Sequence, residues 1–124
     1  MIKLKTVSVK IFYIFIAIIL ISACSPIKKI SEIETSISGT KWKYIDKDWT
    51  YEITFNSDGS ISSTHPNDKS PDNDKWIQNG LQIEIYFNDG YSKYFGKMQS
   101  LNKIKGTGSS SSGQWKWTLK RIKK

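Results

Sequence analysis

The sequence predicts an all-β protein, an eight-stranded antiparallel up-and-down meander closed into a small barrel. Three observations carry that reading. From Gly39 onward apolar and polar residues alternate with period two, and no window sustains a helical period. Turn signals recur at short spacing, among them Asn56-Ser57-Asp58-Gly59, Asn79-Gly80 and Asn88-Asp89-Gly90. Most strands have one apolar face, and no helical segment is available to cover it. A sheet in that position buries its apolar face by curling onto itself, which also removes its edges. The rival architecture is a two-sheet sandwich.

Each strand follows from its pattern. Trp42 and Tyr44 alternate with Lys41 and Lys43 in the first. Tyr51, Ile53 and Phe55 alternate with Glu52 and Thr54 in the second. Ser60 to Thr64 is a weaker third strand around Ile61, followed by a polar loop from His65 to Asp74. Lys75 to Gln78 is the fourth strand. It enters the Asn79-Gly80 hairpin, after which Leu81, Ile83, Ile85 and Phe87 mark the fifth. Tyr91 to Met98 is the sixth and Lys103 to Gly108 the seventh, with Ile104 and the glycines on one face. Ser109 to Gly113 reads as a loop. Gln114 to Arg121 is the eighth strand, with Trp115, Trp117 and Leu119 facing one way.

The first residues read differently. Lys3, Lys5 and Lys10 precede an apolar run from Ile11 to Ile21, and Ser22-Ala23-Cys24 follows. A basic head, an apolar stretch and small residues before a cut are the layout of a signal peptide. The run has 11 residues, short of the roughly 20 that cross a bilayer as a helix. Cys24 is the only cysteine, so an intramolecular disulfide is impossible and the thiol calls for another explanation. Ile21-Ser22-Ala23-Cys24 resembles the lipobox of bacterial lipoproteins. The resemblance implies a cleaved lipoprotein signal peptide over 1–23, and a mature chain that begins at Cys24 with a thioether-linked diacylglycerol and an N-acyl chain. It implies a membrane-anchored lipoprotein of the cell envelope. Ser25 in place of an aspartate after the cysteine points to the outer membrane where one exists. Residues 24–38 then read as a lipidated flexible tether, and 39–124 as the barrel domain.

Charge narrows the partners. The chain carries +8, and the leader holds three of the 19 basic residues and none of the 11 acidic ones, which leaves +5. Lys120, Arg121, Lys123 and Lys124 crowd the end and read as a solvated basic tail. No nucleic-acid motif is present, and an exported domain is a poor candidate for one.

The barrel segment itself resembles the lipocalin-like, or calycin, class. The resemblance rests on Gly39-Thr40-Lys41-Trp42 at the first strand, on the meander, and on Trp115-Lys116-Trp117-Thr118-Leu119-Lys120-Arg121 at the last. Two residues separate Gly39 from Trp42, where the class has one. The resemblance implies that Trp42 packs beneath Arg121 and that the pair closes one end of the barrel.

Little here suggests catalysis. His65 is the only histidine, in a polar loop, and the serines at 109–112 lie between glycines as loop residues. The loop from Asn67 to Asp74 holds three carboxylates but lacks the spacing of a calcium loop, so no metal and no cofactor is expected. Five tryptophans are the informative residues. Trp49, Trp76, Trp115 and Trp117 are the candidates for holding a small apolar or aromatic ligand. Trp49, in the first connecting loop, belongs at the barrel mouth. Trp76, Ile83, Ile85, Trp115 and Trp117 are large inward residues, so the interior should be filled and any pocket shallow, near Trp49 and the His65 to Asp74 loop. The expectation is a non-catalytic, monomeric ligand-binding barrel. The alternative is an envelope protein-interaction module of the lysozyme-inhibitor kind, which a net charge of +5 disfavours against cationic lysozymes.

Overall fold

The structure, a computed structural model, describes residues 35–123. The proposed leader, Cys24 and most of the proposed tether lie outside the described residues.

Eight strands form one antiparallel sheet curled into a nearly closed barrel. They are β1 (Thr40–Asp46), β2 (Thr50–Phe55), β3 (Ile61–Ser63), β4 (Lys75–Asn79), β5 (Gln82–Phe87), β6 (Ser92–Ser100), β7 (Lys103–Ser110) and β8 (Gly113–Arg121). The lateral order is β3-β2-β1-β8-β7-β6-β5-β4. The first and last strands therefore pair, with Trp42 opposite Arg121 and Tyr44 opposite Leu119.

Period two does what it should. Trp42 and Tyr44, then Tyr51, Ile53 and Phe55, then Ile83, Ile85 and Phe87, point inward and are buried. Lys41, Lys43, Glu52 and Gln82 point out. Trp117 and Leu119 of β8 join the core with Tyr94, Met98 and Ile104. Leu81 belongs to the turn after Gly80 rather than to β5, and it is exposed. The hairpin from β5 to β6 has Asn88 and Asp89 at φ 51° and 55°. Asn and Asp tolerate that left-handed region better than most residues, which is why this dipeptide turns the chain here. The expected loop at Ser109 to Gly113 is shorter in fact. Ser109 pairs with Gln114 and Ser110 with Gly113, so the serines extend β7 and only Ser111 and Ser112 turn.

Glycines make room for the tryptophans. Gly96 of β6 lies opposite Gly106 of β7, and Gly106 lies opposite Trp117 of β8. A Cβ on Gly96 would stand 2.4 Å from the Trp117 ring, and one on Gly106 would stand 2.1 Å from the Phe95 carbonyl oxygen. The indole of Trp117 lies flat on this bare patch. Trp115 lies in the same way on Gly108, where a Cβ would come within 2.4 Å of the ring.

The seam falls between β3 and β4, which do not pair as strands. One bridge, Ser60 to Lys75, links the two edges. Beside it the Trp76 amide donates to the Gly59 carbonyl at 3.0 Å, and the Trp76 indole N–H donates to the Asn56 carbonyl at 2.9 Å. A short 3-10 turn, Pro71–Asn73, leads from the loop into β4.

The end of the barrel away from the β1–β2 turn is plugged. Ile37 is fully buried, and its amide donates to Gln78 Oε1 at 3.0 Å. The core thus begins two residues before Gly39.

Candidate functional site

The open end is built by the β1–β2, β5–β6 and β7–β8 turns and by the start of the loop after β3. Asp46 shapes the first of these. Its Oδ1 accepts the amides of Asp48 at 2.8 Å and Trp49 at 2.7 Å. That turn holds Trp49 at the rim, 41% exposed. The other carboxylate oxygen, Oδ2, accepts the Tyr44 hydroxyl at 2.6 Å, and that hydroxyl accepts the Trp115 indole N–H at 3.0 Å. A chain of hydrogen bonds thus runs from the wall of the mouth through Tyr44 to the turn that carries Trp49.

Aromatic rings line the space. Tyr44 stacks on Tyr51 with centroids 4.4 Å apart. Trp115 stands edge-on to Tyr94 at 5.4 Å, and Phe87 edge-on to Tyr94 at 5.1 Å. His65 meets Trp49 at 4.5 Å and Tyr51 at 4.7 Å. Its Nδ1 accepts the Asn67 amide at 3.0 Å, which places the proton of the neutral ring on Nε2. Partial burial pushes the His65 pKa below its ordinary value, against the pull of Asp68 and Asp46. The ring is therefore neutral at pH 7. Burial likewise pushes the Tyr44, Tyr51 and Tyr94 hydroxyls up, so all three stay protonated.

These rings enclose a cavity of about 550 Å³ that opens to solvent, with Asp46, Asp48 and Gln114 among its polar lining. A recess of about 140 Å³ adjoins it between Tyr51, His65, Asn67, Asn88 and Tyr94. Among the described residues no lysine or arginine lines either space. Beneath them the barrel is filled by Trp117, Ile53, Ile85, Leu119 and Trp42.

The tryptophans singled out from the sequence part company here. Trp49 and Trp115 both line the mouth. Trp117 lies deeper, 3% exposed, as core. Trp76 sits at the seam, where its ring meets Phe55 edge-on at 5.5 Å and lines a separate cleft with Asp58, Asp72, Asp74 and Tyr86. Trp42 and Arg121 meet at the plugged end, with the guanidinium carbon 4.8 Å from the ring centroid. Arg121 is thus turned inward and does not belong to a solvated basic tail. Sequence reasoning passed over Tyr51 and Tyr94 as lining residues, although their inward position at the mouth ends of β2 and β6 was legible. The loop that starts at His65 was placed beside the pocket, as found, but the stacking of the His65 ring has no periodic signal in a loop.

Two acids near the recess are unusual. Asp74 is buried, its Oδ1 accepting the Asn88 amide at 2.9 Å while Oδ2 has no donor. Asp68 faces it, and its carboxylate oxygens meet no donor other than the Asp74 carboxyl itself when that is protonated. Burial first, and then Asp68 and Asp89, raise the Asp74 carboxyl to about 6, against the Asn88 hydrogen bond. Among the described residues no three His, Cys, Asp or Glu side chains converge as a metal site. No protein-family model matches the chain, and no curated protein matches it in sequence.

Proposed function

We propose that this protein is a lipid-anchored barrel of the bacterial cell envelope that binds one small apolar or aromatic molecule at its mouth and performs no chemistry on it. The observation that carries the reading is the cavity of about 550 Å³ walled by Trp49, Tyr51, His65, Tyr94 and Trp115. Its volume falls in the range of small-molecule sites, roughly 300–1,000 Å³, and its lining is the usual mixture of rings with a few polar groups. The filled interior below limits the ligand to one or two rings. Asp46 and Asp48 at the rim, with no lysine or arginine in the lining, select against anions. His65 has the role of a wall: its ring lies against Trp49 and Tyr51, and its Nδ1 is taken by the Asn67 amide. The Ile21 to Cys24 pattern supports the anchor and the envelope location.

The test is a titration of the full chain with a panel of neutral one- and two-ring aromatics, read by tryptophan fluorescence. Saturable quenching that Trp115→Ala weakens about tenfold or more, as loss of a main aromatic contact should, supports the reading. Quenching that is absent across the panel, or indifferent to Trp49 and Trp115, overturns it.

A further inference from the structure

The outer wall formed by β6, β7, β8 and β1 carries an arrangement that a sheet ordinarily avoids. Lys97 of β6 lies directly opposite Lys105 of β7. Lys120 of β8 lies between Lys103 of β7 on one side and Lys43 of β1 on the other. Directly opposed residues on one face stand about 5 Å apart at Cβ, where like charges repel. Lys93 and Lys116 extend the same outward face, and no aspartate or glutamate interrupts it on these four strands except Asp46 at the mouth end of β1. The nearest outward acids are Glu52 on β2 and Glu84 on β5, at the flanks. The one ion pair within 4.0 Å among the described residues joins Lys41 to Glu52, at the edge of the wall. The remaining lysines of the wall have no acidic partner among the described residues. Phe95, 46% exposed, projects from β6 among them.

We propose that this wall rests on an anionic lipid surface, so that the barrel lies on its side against the bilayer. The lysines of this curved wall offer cations to a surface of phosphodiester headgroups, and lipid charge relieves the repulsion that the cross-strand pairs otherwise bear. Phe95 supplies an apolar group at the level where aromatic side chains enter the interface. An apolar run at Ile11 to Ile21 and a lipobox-like Cys24 in the same chain bring a membrane within reach of the wall. The mouth lies at one end of the strands, so a barrel on its side leaves the cavity open along the membrane plane.

The experiment compares two vesicle preparations carrying the full chain, one of phosphatidylcholine alone and one with about 30 mol % phosphatidylglycerol, at about 0.1 M and about 0.5 M salt, where the screening length falls from about 10 Å towards 4 Å. Acetylation by a water-soluble ester is followed lysine by lysine by mass spectrometry. In the anionic vesicles Lys97, Lys105, Lys116 and Lys120 should react about threefold or more slowly at low salt, and recover at high salt, as surface electrostatics require. Lys47, Lys69 and Lys75, which lie off the wall, should not change. In the quadruple variant Lys97→Gln, Lys105→Gln, Lys116→Gln, Lys120→Gln, the protection of Lys43 and Lys103 should disappear. The variant removes like-charge contacts on an exposed face, so its fold is not at risk. Equal labelling of wall and control lysines, or protection that survives in the variant, overturns the wall while leaving the mouth reading intact. A chain that stays off both kinds of vesicle overturns the wall together with the anchor.

Discussion

Arg121 lies over the ring of Trp42, its guanidinium carbon 4.8 Å from the centroid, in the one strand pairing that joins the two ends of the barrel domain. The indole N–H is held at 2.7 Å by Thr40 Oγ1, so the ring is fixed from its edge as well as from its face. Trp42→Ala should therefore lower unfolding free energy by roughly 3–5 kcal/mol, the usual cost of emptying a buried aromatic site. Arg121→Ala should cost less, about 1 kcal/mol, since it removes a cation–π contact while freeing two buried nitrogens that lack acceptors. Urea unfolding of the two variants checks both the size and the order. Equal costs would contradict the packing described.

Glycines 106 and 108 make a graded pair of tests. At Gly108 an added methyl first meets the Trp115 ring, a side chain that lies half-buried at the mouth. At Gly106 it meets the Phe95 carbonyl oxygen at 2.1 Å, a backbone atom that cannot move without the strand. Gly108→Ala should cost about 1–3 kcal/mol, as overpacking usually does, and should shift tryptophan emission to the red. Gly106→Ala should be the more damaging of the two. A thermal melt in which Gly106→Ala proves the milder change would show that β6 and β7 are further apart than described.

The Tyr44 hydroxyl joins Trp115 to Asp46. Tyr44→Phe keeps the stacked ring but leaves both polar neighbours without their partner, at a cost of roughly 1–2 kcal/mol. Its larger effect should be local. Without the anchor at Asp46 Oδ2, the turn carrying Trp49 should loosen, and amide exchange at Asp48 and Trp49 should quicken. Unchanged exchange at these two amides would mean that the Oδ1 contacts alone hold the turn.

Asp74 gives the fold a pH dependence of definite sign. Its folded-state value, raised to about 6 from the ordinary 3.8, means that the native chain holds this proton more tightly than the unfolded one. The stability it contributes is complete below about pH 4 and is lost as pH rises through 6. His65, with its value lowered by burial, works the other way and costs stability as pH falls below its ordinary 6.5. Asp74→Asn isolates the first effect. The variant should be more stable than the parent at pH 7, by roughly 1 kcal/mol once screening near the surface is allowed for, and the difference should vanish near pH 4. Denaturant titrations at pH 4, 5.5 and 7 decide. A variant less stable at pH 7 would place an unrecognised donor on Asp74 Oδ2.

Cys24→Ser addresses the other end of the chain. The expected result is a protein that no longer takes up labelled palmitate and that accumulates with its leader attached. Equal labelling of parent and variant would remove the lipoprotein reading and leave the barrel as it stands.

All eight strands were legible because alternation is a property of neighbouring residues: Tyr51, Ile53 and Phe55 face the core whatever lies beside them. Alternation does not say which strand lies alongside, so the seam at β3 and β4 was not legible, although the sparse apolar content of Ser60 to Thr64, Ile61 alone, hinted at a weak edge. Ile37 fell within the segment read as tether because 24–38 is mostly polar and shows no period-two alternation. Trp49 was legible at the mouth because it lies in a connecting loop, whereas Trp76, Trp115 and Trp117 carry the same strand alternation. Which of these three reach the mouth depends on their distance from the turns and on the closure of the sheet.

The lateral order also sets a timetable for assembly. Strands β4 to β8 are each joined to the next by a tight turn, so more than half the domain can zip from local hairpins. The pairing of β1 with β8 is different: it closes a loop spanning most of the domain, and its entropic cost must be met before the Trp42 and Leu119 contacts repay it. That closure is the natural rate-limiting event. Until it occurs, β1 and β8 both present open hydrogen-bonding edges backed by tryptophan and tyrosine, which is when a second chain could intrude.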